Sequence, residues 1–200
     1  MRLKRSFFDS DTNKVARELL GKKIVRVFNS GERIEAIITE TEAYHGFEDK
    51  ASHASRKKTE RNKIMFEKGG LIYVYLVYGM HYCLNFTTMP EGFPAAVLVR
   101  SIALKNKNIE YRILNTKNKK NIQYSVFNIP INGPGRVCKV LEIDKSFYGE
   151  DLTKSKRIWI ESVGANGCSP KIIAGKRIGV DYAGECKDWK WNYKIDLKDL

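Results

Sequence analysis

Short runs in which apolar and polar side chains alternate recur along the chain, and this period of two residues predicts β-strands. Runs of this kind, bounded by turn-forming residues, predict strands over residues 22–28, 33–43, 71–77, 82–87, 95–102, 157–163, 177–180 and 190–195. Helical spacing of apolar positions predicts a helix capped by Asp11 or Thr12 and stopped by Gly21, a turn or two over 59–66, and a helix from 133–135 to Ile143.

Strands outnumber helices in this pattern, and neighbouring strands are joined by hairpins. We therefore expect an α+β fold, with one compact domain over residues 1–200, a curved antiparallel β-sheet, surrounding helices and a protruding β-hairpin. The segments 45–58 and 105–120 are polar, and the second is rich in Lys and Asn, so we expect it to include an exposed loop.

The predicted hairpin over residues 71–87 is rich in tyrosine. Tyr73 and Tyr75 fall on one face of its first strand, where ordinary sheet packing is the simplest interpretation. Tyr78 lies beside Gly79 at the expected tip, where a large aromatic side chain has little core to fill. An exposed tyrosine there could act as a wedge between base pairs, with the aromatic residues behind it stacking on an extruded base.

Two glutamates, Glu40 and Glu42, are two residues apart on a predicted strand, so their side chains point to the same face. Such a pair is often simply solvated. Tyr44 continues the same face, however, and an acid beside an aromatic wall suits base catalysis on a flat, stacked substrate. Arg100, at the end of an apolar strand, either reaches solvent or pairs with a buried acid such as Glu42.

No metal site is expected, because neither the histidines nor the cysteines have ligand spacing. We interpret His45 and His81 as surface residues and expect the cysteines to be free thiols at positions 83, 138, 168 and 186.

The charge of the chain points to a polyanionic partner. Its 200 residues include 36 Lys and Arg against 23 Asp and Glu, a formal net charge of +13. Such an excess attracts nucleic acid or an anionic membrane surface. No apolar run approaches the length of a membrane-spanning helix, and the basic start of the chain has no apolar stretch after it, so we expect neither a membrane protein nor a secreted one.

Many ordered segments resemble the alkyladenine (3-methyladenine) DNA glycosylase family of bacteria and animals. The resemblance runs from about Leu19 to Glu185, and the segments that carry it are residues 40–46, 48–53, 61–66, 73–80, 84–85, 97–100, 132–135, 177–180 and 183–185.

The resemblance implies a role for each matching position. Glu42 is implied as the general base, with Arg100 and the backbone carbonyl of Ile178 holding the same water. The implied walls and edges of the base pocket are Tyr44, Tyr75, the backbone of His53, and Asn85, which would discriminate against the exocyclic amine of guanine. The implied intercalating group is Tyr78, flanked by Met80 and His81.

The family implies a monofunctional hydrolase that requires no cofactor and no metal. The implied partner is double-stranded DNA containing alkylated or deaminated purines, such as 3-methyladenine, hypoxanthine and ethenoadenine, bound by a monomer without an obligate protein partner. Such an enzyme would be cytoplasmic and nucleoid-associated in a bacterium, or nuclear in a eukaryote. The chain departs from the family pattern at His81, where an aromatic residue is common, and at Cys186, where tryptophan is frequent.

Three alternatives remain open at this point. The chain could be a non-catalytic nucleic-acid-binding module, which would have no use for Glu42. It could be a retaining glycoside hydrolase using Glu40 and Glu42 as acid and nucleophile, because same-face neighbours on a strand are about 6–7 Å apart. It could also be a lyase acting through a lysine Schiff base.

Overall fold

The computed structural model describes residues 1–105, 127–163 and 170–196. The expected loop over 105–120, apart from its first residue, and Cys168 lie outside these ranges. The helices are α1 (Arg5–Phe8), α2 (Thr12–Glu18) and α3 (Pro134–Val140). The strands are β1 (Lys23–Val27), β2 (Arg33–His45), β3 (Ile72–Val77), β4 (His81–Thr87), β5 (Ala95–Lys105), β6 (Phe127–Asn132), β7 (Ile158–Glu161), β8 (Ile172–Gly175) and β9 (Asn192–Ile195). Three short 3-10 helices cover Lys63–Phe66, Lys145–Phe147 and Gly184–Asp188.

All nine strands belong to one antiparallel sheet, in the order β3-β4-β5-β2-β1-β7 with β6, β8 and β9 attached to it. The two long central strands, β2 and β5, change partners along their length. The first half of β2 pairs with β1 and its second half with β9, while β5 pairs first with β4 and then with β6. The β2–β5 register shifts at Glu40, and a bulge of this kind bends a strand and re-aims its side chains. The sheet therefore curls, as predicted.

The helices close one face of the curled sheet. Asp11 caps α2 by accepting a hydrogen bond from the Lys14 amide at 2.9 Å, as one of the two predicted caps. Val15 and Ala16 on this helix are fully buried in the main apolar cluster, and the Thr41 hydroxyl of β2 donates to the Ala16 carbonyl at 2.8 Å. The helix thus holds the strand that carries Glu42.

The structure corrects several local predictions. Residues 177–180 form a loop instead of a strand, because Arg177 is buried in an ion pair and Gly179 has a φ of +78°. The strand in this region is β8, and β6 was also missed. Helix α3 ends at Val140, before Ile143, and the helical turn predicted over 59–66 is confined to Lys63–Phe66.

His45 is not a plain surface residue. It is half-buried, its Nδ1 lies 2.7 Å from the Thr12 hydroxyl, and its ring packs on Phe93 at 4.8 Å. Cys83, Cys138 and Cys186 are buried free thiols, which confirms the prediction for these three. None of the helices in the described ranges has the length and apolar character needed to span a bilayer.

Candidate active site

A cavity of about 460 Å³ opens between the β3–β4 hairpin, the strands β2 and β5, and the loop after β8. Its volume is in the range of ordinary small-molecule pockets. Eight of the ten site residues predicted from the sequence line it or bond directly to its wall: Glu42, Tyr44, His53, Tyr75, Tyr78, Asn85, Arg100 and Ile178. The fold thus brings together residues spread over more than 130 positions of the chain.

Glu42 is fully buried, and four donors converge on its carboxylate. Its Oε2 accepts from the Tyr44 hydroxyl at 2.8 Å and lies 3.4 Å from an Arg100 guanidinium nitrogen. Its Oε1 accepts from the Ile178 amide at 2.8 Å and from Asn192 Nδ2 at 3.1 Å. Each of these four neighbours presents a hydrogen-bond donor, so the surroundings suit a group that accepts at both of its oxygens. The Glu42 carboxylate is therefore held in one position directly behind the cavity wall.

Tyr44 is both part of the cavity wall and a donor to Glu42. Burial, together with the adjacent negative charge of Glu42, raises the pKa of Tyr44 well above its usual value. The phenol consequently stays protonated and continues to donate to the carboxylate at any pH at which the protein is folded.

Another part of the cavity lining consists of packed aromatic rings. Tyr73 and Tyr75 have ring centroids 5.2 Å apart, and the His53 ring meets Tyr75 edge-on at 4.5 Å. His53 Nδ1 lies 2.9 Å from the Tyr73 hydroxyl. The ring's packed surroundings, with the nearby charge of Arg61, lower the pKa of His53 to about 4, although the residue keeps solvent exposure at the cavity mouth. At neutral pH His53 is therefore an uncharged ring.

Asn85 is a buried residue of the cavity lining, on β4. Its side-chain nitrogen donates to the backbone carbonyls of Tyr73 at 3.1 Å and Cys83 at 3.2 Å. Both of its N–H bonds are thereby engaged, so Oδ1 is the atom through which it can accept from a ligand.

The tip of the hairpin projects beside the mouth of the cavity. Tyr78 is 90% exposed and Met80 71% exposed. Tyr78 and Gly79 have φ angles of +51° and +70°, and the Met80 amide donates to the Val77 carbonyl, which defines a tight hairpin turn with both central residues left-handed. His81 is also exposed and its side chain packs against Gly135, where a Cβ atom would come within 3.1 Å.

The loop that carries Ile178 is anchored by a buried ion pair that the sequence did not reveal. The guanidinium of Arg177 forms two hydrogen bonds with the carboxylate of Asp49, at 2.5 and 2.7 Å, and both side chains are fully buried. The same guanidinium lies 4.9 Å from the centre of the Tyr44 ring. Burial alone would lower the pKa of Arg177, but the hydrogen bonds and charge of Asp49 outweigh it and raise the pKa, so the pair stays ionised.

Asn192 is the other functional candidate that sequence reasoning missed. It lies in the C-terminal strand β9, directly opposite Glu42 in the antiparallel register, and is 5% exposed. Its position in sequence carries no signal, because only the pairing of β9 with β2 brings it to the carboxylate. Across the described ranges, no group of three or more His, Cys, Asp or Glu side chains is arranged to hold a metal ion.

Comparison with known proteins identifies relatives over nearly the whole chain. Residues 6–197 match the family model described as methylpurine-DNA glycosylase. The chain is 43% identical over 198 residues to a protein of Desulfitobacterium hafniense strain Y51, a match that covers 98% of this chain and 95% of that protein. It is 42% identical over 211 residues to a protein of Rickettsia prowazekii strain Madrid E, covering 94% and 93%. Both relatives are provisionally named 3-methyladenine DNA glycosylase.

The chain belongs to the methylpurine-DNA glycosylase family. The resemblance inferred from the sequence motifs is thereby confirmed. Membership makes the protein a DNA-binding hydrolase of N-glycosyl bonds, which accounts for the large excess of Lys and Arg.

Proposed function

We propose that this glycosylase removes alkylated or deaminated purines from double-stranded DNA, with Glu42 activating the water that attacks the sugar. The observation that carries the proposal is the fully buried Glu42 carboxylate, fixed by four donors immediately behind a tyrosine-lined cavity. The proposed substrates are of the 3-methyladenine, hypoxanthine and ethenoadenine type.

In the proposed reaction Glu42, Arg100 and the carbonyl of Ile178 hold a water beneath C1′ of the extruded nucleotide. Glu42 takes a proton as the water oxygen bonds to C1′, and the C1′–N bond breaks with its electron pair leaving on the base. A carboxylate beneath the sugar also stabilises the oxocarbenium-like transition state. A methylated purine leaves readily because its ring already carries positive charge and departs neutral.

The flipped base would stack on Tyr44 and Tyr75, which both line the cavity. The backbone of His53 would contact the edge of the base. Asn85 would discriminate against the exocyclic amine of guanine; support comes from its side-chain amide, which two backbone carbonyls hold in one position on the cavity lining.

Tyr78 would fill the gap that the flipped nucleotide leaves in the duplex, with Met80 and His81 flanking it. Support comes from its 90% exposure at a tight turn beside the cavity mouth. Extruding a base costs a few kcal/mol, least for one that is already poorly paired, which favours damaged sites before the pocket is entered. We propose that the protein acts as a monomer, without a cofactor, in the compartment that holds the chromosome.

The glycoside-hydrolase alternative conflicts with the geometry. A retaining enzyme needs open space between its two carboxylates for the scissile bond. Here the Asn192 side chain lies between them, with Nδ2 2.7 Å from Glu40 and 3.1 Å from Glu42. The two glutamates therefore cannot flank a sugar.

A Glu42→Gln variant separates the proposed enzyme from a non-catalytic nucleic-acid-binding module. We expect this variant to bind a duplex carrying hypoxanthine as tightly as the original chain does, but to release free hypoxanthine at least about 100-fold more slowly. Glu48→Gln is the control, because Glu48 is exposed and only six residues away. Base release by Glu42→Gln at the rate of the control would overturn the mechanism.

A further inference from the structure

Glu40 and Glu42 share the same two donors. Asn192 Nδ2 donates to Oε1 of both glutamates, at 2.7 Å and 3.1 Å. The guanidinium of Arg100 also contacts both glutamates: its Nε lies 3.6 Å from Glu40 and its Nη1 lies 3.4 Å from Glu42. Two oxygens that share one amide nitrogen lie within about 6 Å of each other. The four side chains thus form one closed network.

The backbone explains how this network forms. Asn192 of β9 is paired with Glu42 across the ladder, and Glu40 is paired with Lys194, two residue pairs away. The β2–β5 register shifts at Glu40, which brings Arg100 of β5 towards both carboxylates. Glu40 has one further partner, because its Oε2 accepts from the Ser101 hydroxyl at 2.8 Å.

We propose that Glu40 and Asn192 are positioning residues for the reaction, an inference that rests on the proposed role of Glu42. Glu40 holds the Arg100 guanidinium in a position shared between the two glutamates. It thereby prevents Arg100 from forming a two-bond ion pair with Glu42 alone, which would make the Glu42 carboxylate a weaker proton acceptor. Asn192 fixes the Glu42 carboxylate in one orientation. Neither residue lines the cavity.

The charges around Glu42 determine how each substitution changes the reaction. Its own strand supplies Glu40 and the phenol of Tyr44, β5 supplies Arg100, and the loop after β8 supplies Arg177; the Cys83 thiol of β4 is also close enough to interact. A neighbouring negative charge disfavours ionisation of a carboxyl group, whereas a hydrogen-bond donor favours it. Glu40 and Asn192 therefore act on Glu42 in opposite directions.

The test measures single-turnover release of 3-methyladenine from duplex DNA against pH. This base is already cationic, so the acidic limb of the profile reports groups of the enzyme. We expect Glu40→Gln to move this limb to lower pH by about one to two units, as removal of a like charge about 6 Å away requires. We expect Asn192→Ala to move it to higher pH by about one unit, because a donor to the ionised form is lost.

In both variants the plateau rate should fall about tenfold while the affinity for the duplex is unchanged, since positioning supports the chemical step. Glu40→Gln keeps every polar partner, because the new amide can still accept from Asn192 and Arg100 and can donate to Ser101. It therefore decides the question even if Asn192→Ala is unstable. The matched control is Glu35→Gln, which removes a carboxylate from the same strand, where it pairs with Lys23 and Arg33.

A Glu40→Gln profile that coincides with that of Glu35→Gln would overturn the positioning role. The positioning role would also be overturned if the acidic limbs of Glu40→Gln and Asn192→Ala moved in the same direction, because that result would indicate general loosening of the site. If instead Glu42→Gln kept the full rate, the proposed function itself would be wrong, so the two failures are distinguishable.

Discussion

Breaking the buried ion pair between Asp49 and Arg177 should both destabilise the protein and impair catalysis. Asp49→Asn is the least disruptive change, because it keeps the shape of the side chain and leaves no cavity. It removes the negative charge while Arg177 remains charged and fully buried. The new amide group also turns N–H donors towards the guanidinium in place of an acceptor.

The magnitude follows from the burial of both partners. Removing one member of a buried ion pair costs about 3–5 kcal/mol, because the remaining charge is left without compensation. Asp49 also accepts from the amides of His45 at 3.2 Å and Ala51 at 3.0 Å, so the loss extends to the turn after β2. A domain has a free energy of unfolding of about 5–15 kcal/mol, so this substitution should remove a large part of it.

Urea unfolding followed by tryptophan fluorescence measures the effect. Trp191 is a suitable reporter, since the Arg177 guanidinium lies 5.1 Å from its ring. With a urea dependence of about 1–3 kcal/mol per molar, the midpoint should fall by at least about 1 M. Asp188→Asn is the matched control, because it breaks the exposed ion pair between Lys176 and Asp188 at the same loop, in which the two charged atoms are 2.6 Å apart. Solvent screens such an exposed pair, so its loss should hardly move the midpoint.

Equal midpoint shifts for Asp49→Asn and Asp188→Asn would refute the reasoning. A double variant, Asp49→Leu with Arg177→Met, sharpens the test, because apolar replacement of a buried pair is often neutral for stability. We expect it to recover only part of the stability, because the amides of His45 and Ala51 still lose their acceptor. The rate of base release should not recover, since the loop that holds the Ile178 amide against Glu42 has lost its anchor.

Two further predictions concern the cavity mouth. Tyr78→Gly should leave the thermal midpoint unchanged or slightly higher, since glycine adopts a φ of +51° without strain. It should nevertheless lower the rate of base release from duplex DNA at least about tenfold, and the rate from single-stranded DNA much less. Equal losses on both substrates would contradict a wedge. The folded-state pKa of His53 is about 4, below its usual value, so its stabilising contribution is complete above about pH 6.5 and is lost as the pH falls through 4. As the pH is lowered from 6.5 to 4, the thermal midpoint of His53→Gln should therefore fall less than that of the unchanged chain. Parallel plots of midpoint against pH for the two proteins would argue against the lowered pKa of His53.

The features that the sequence predicted correctly are local ones. The alternation of side chains over 71–77 and 82–87 corresponds to β3 and β4, and Tyr78-Gly79 forms the turn between them. Glu40, Glu42 and Tyr44 share a face, because a strand repeats every two residues. These properties depend only on near neighbours along the chain.

The predictions that failed are those in which a distant contact overrides the local pattern. Ile178 and Val180 have side chains suited to a strand, but the Ile178 amide donates to Glu42 and Gly179 has a φ of +78°, so the backbone does not form a strand ladder there. His45 looked like a surface residue until the fold placed it against Thr12 and Phe93.

The sequence by itself determined the family of this protein, the face that carries Glu42 and the exposed tyrosine at the hairpin tip. Only the tertiary structure decided how Glu42 is held, because three of its four donors come from β5, the loop after β8 and β9, more than 50 residues away along the chain. No periodicity encodes a hydrogen bond across such a distance. The curl of the sheet, which pairs β9 with the second half of β2, brings Asn192 to the carboxylate.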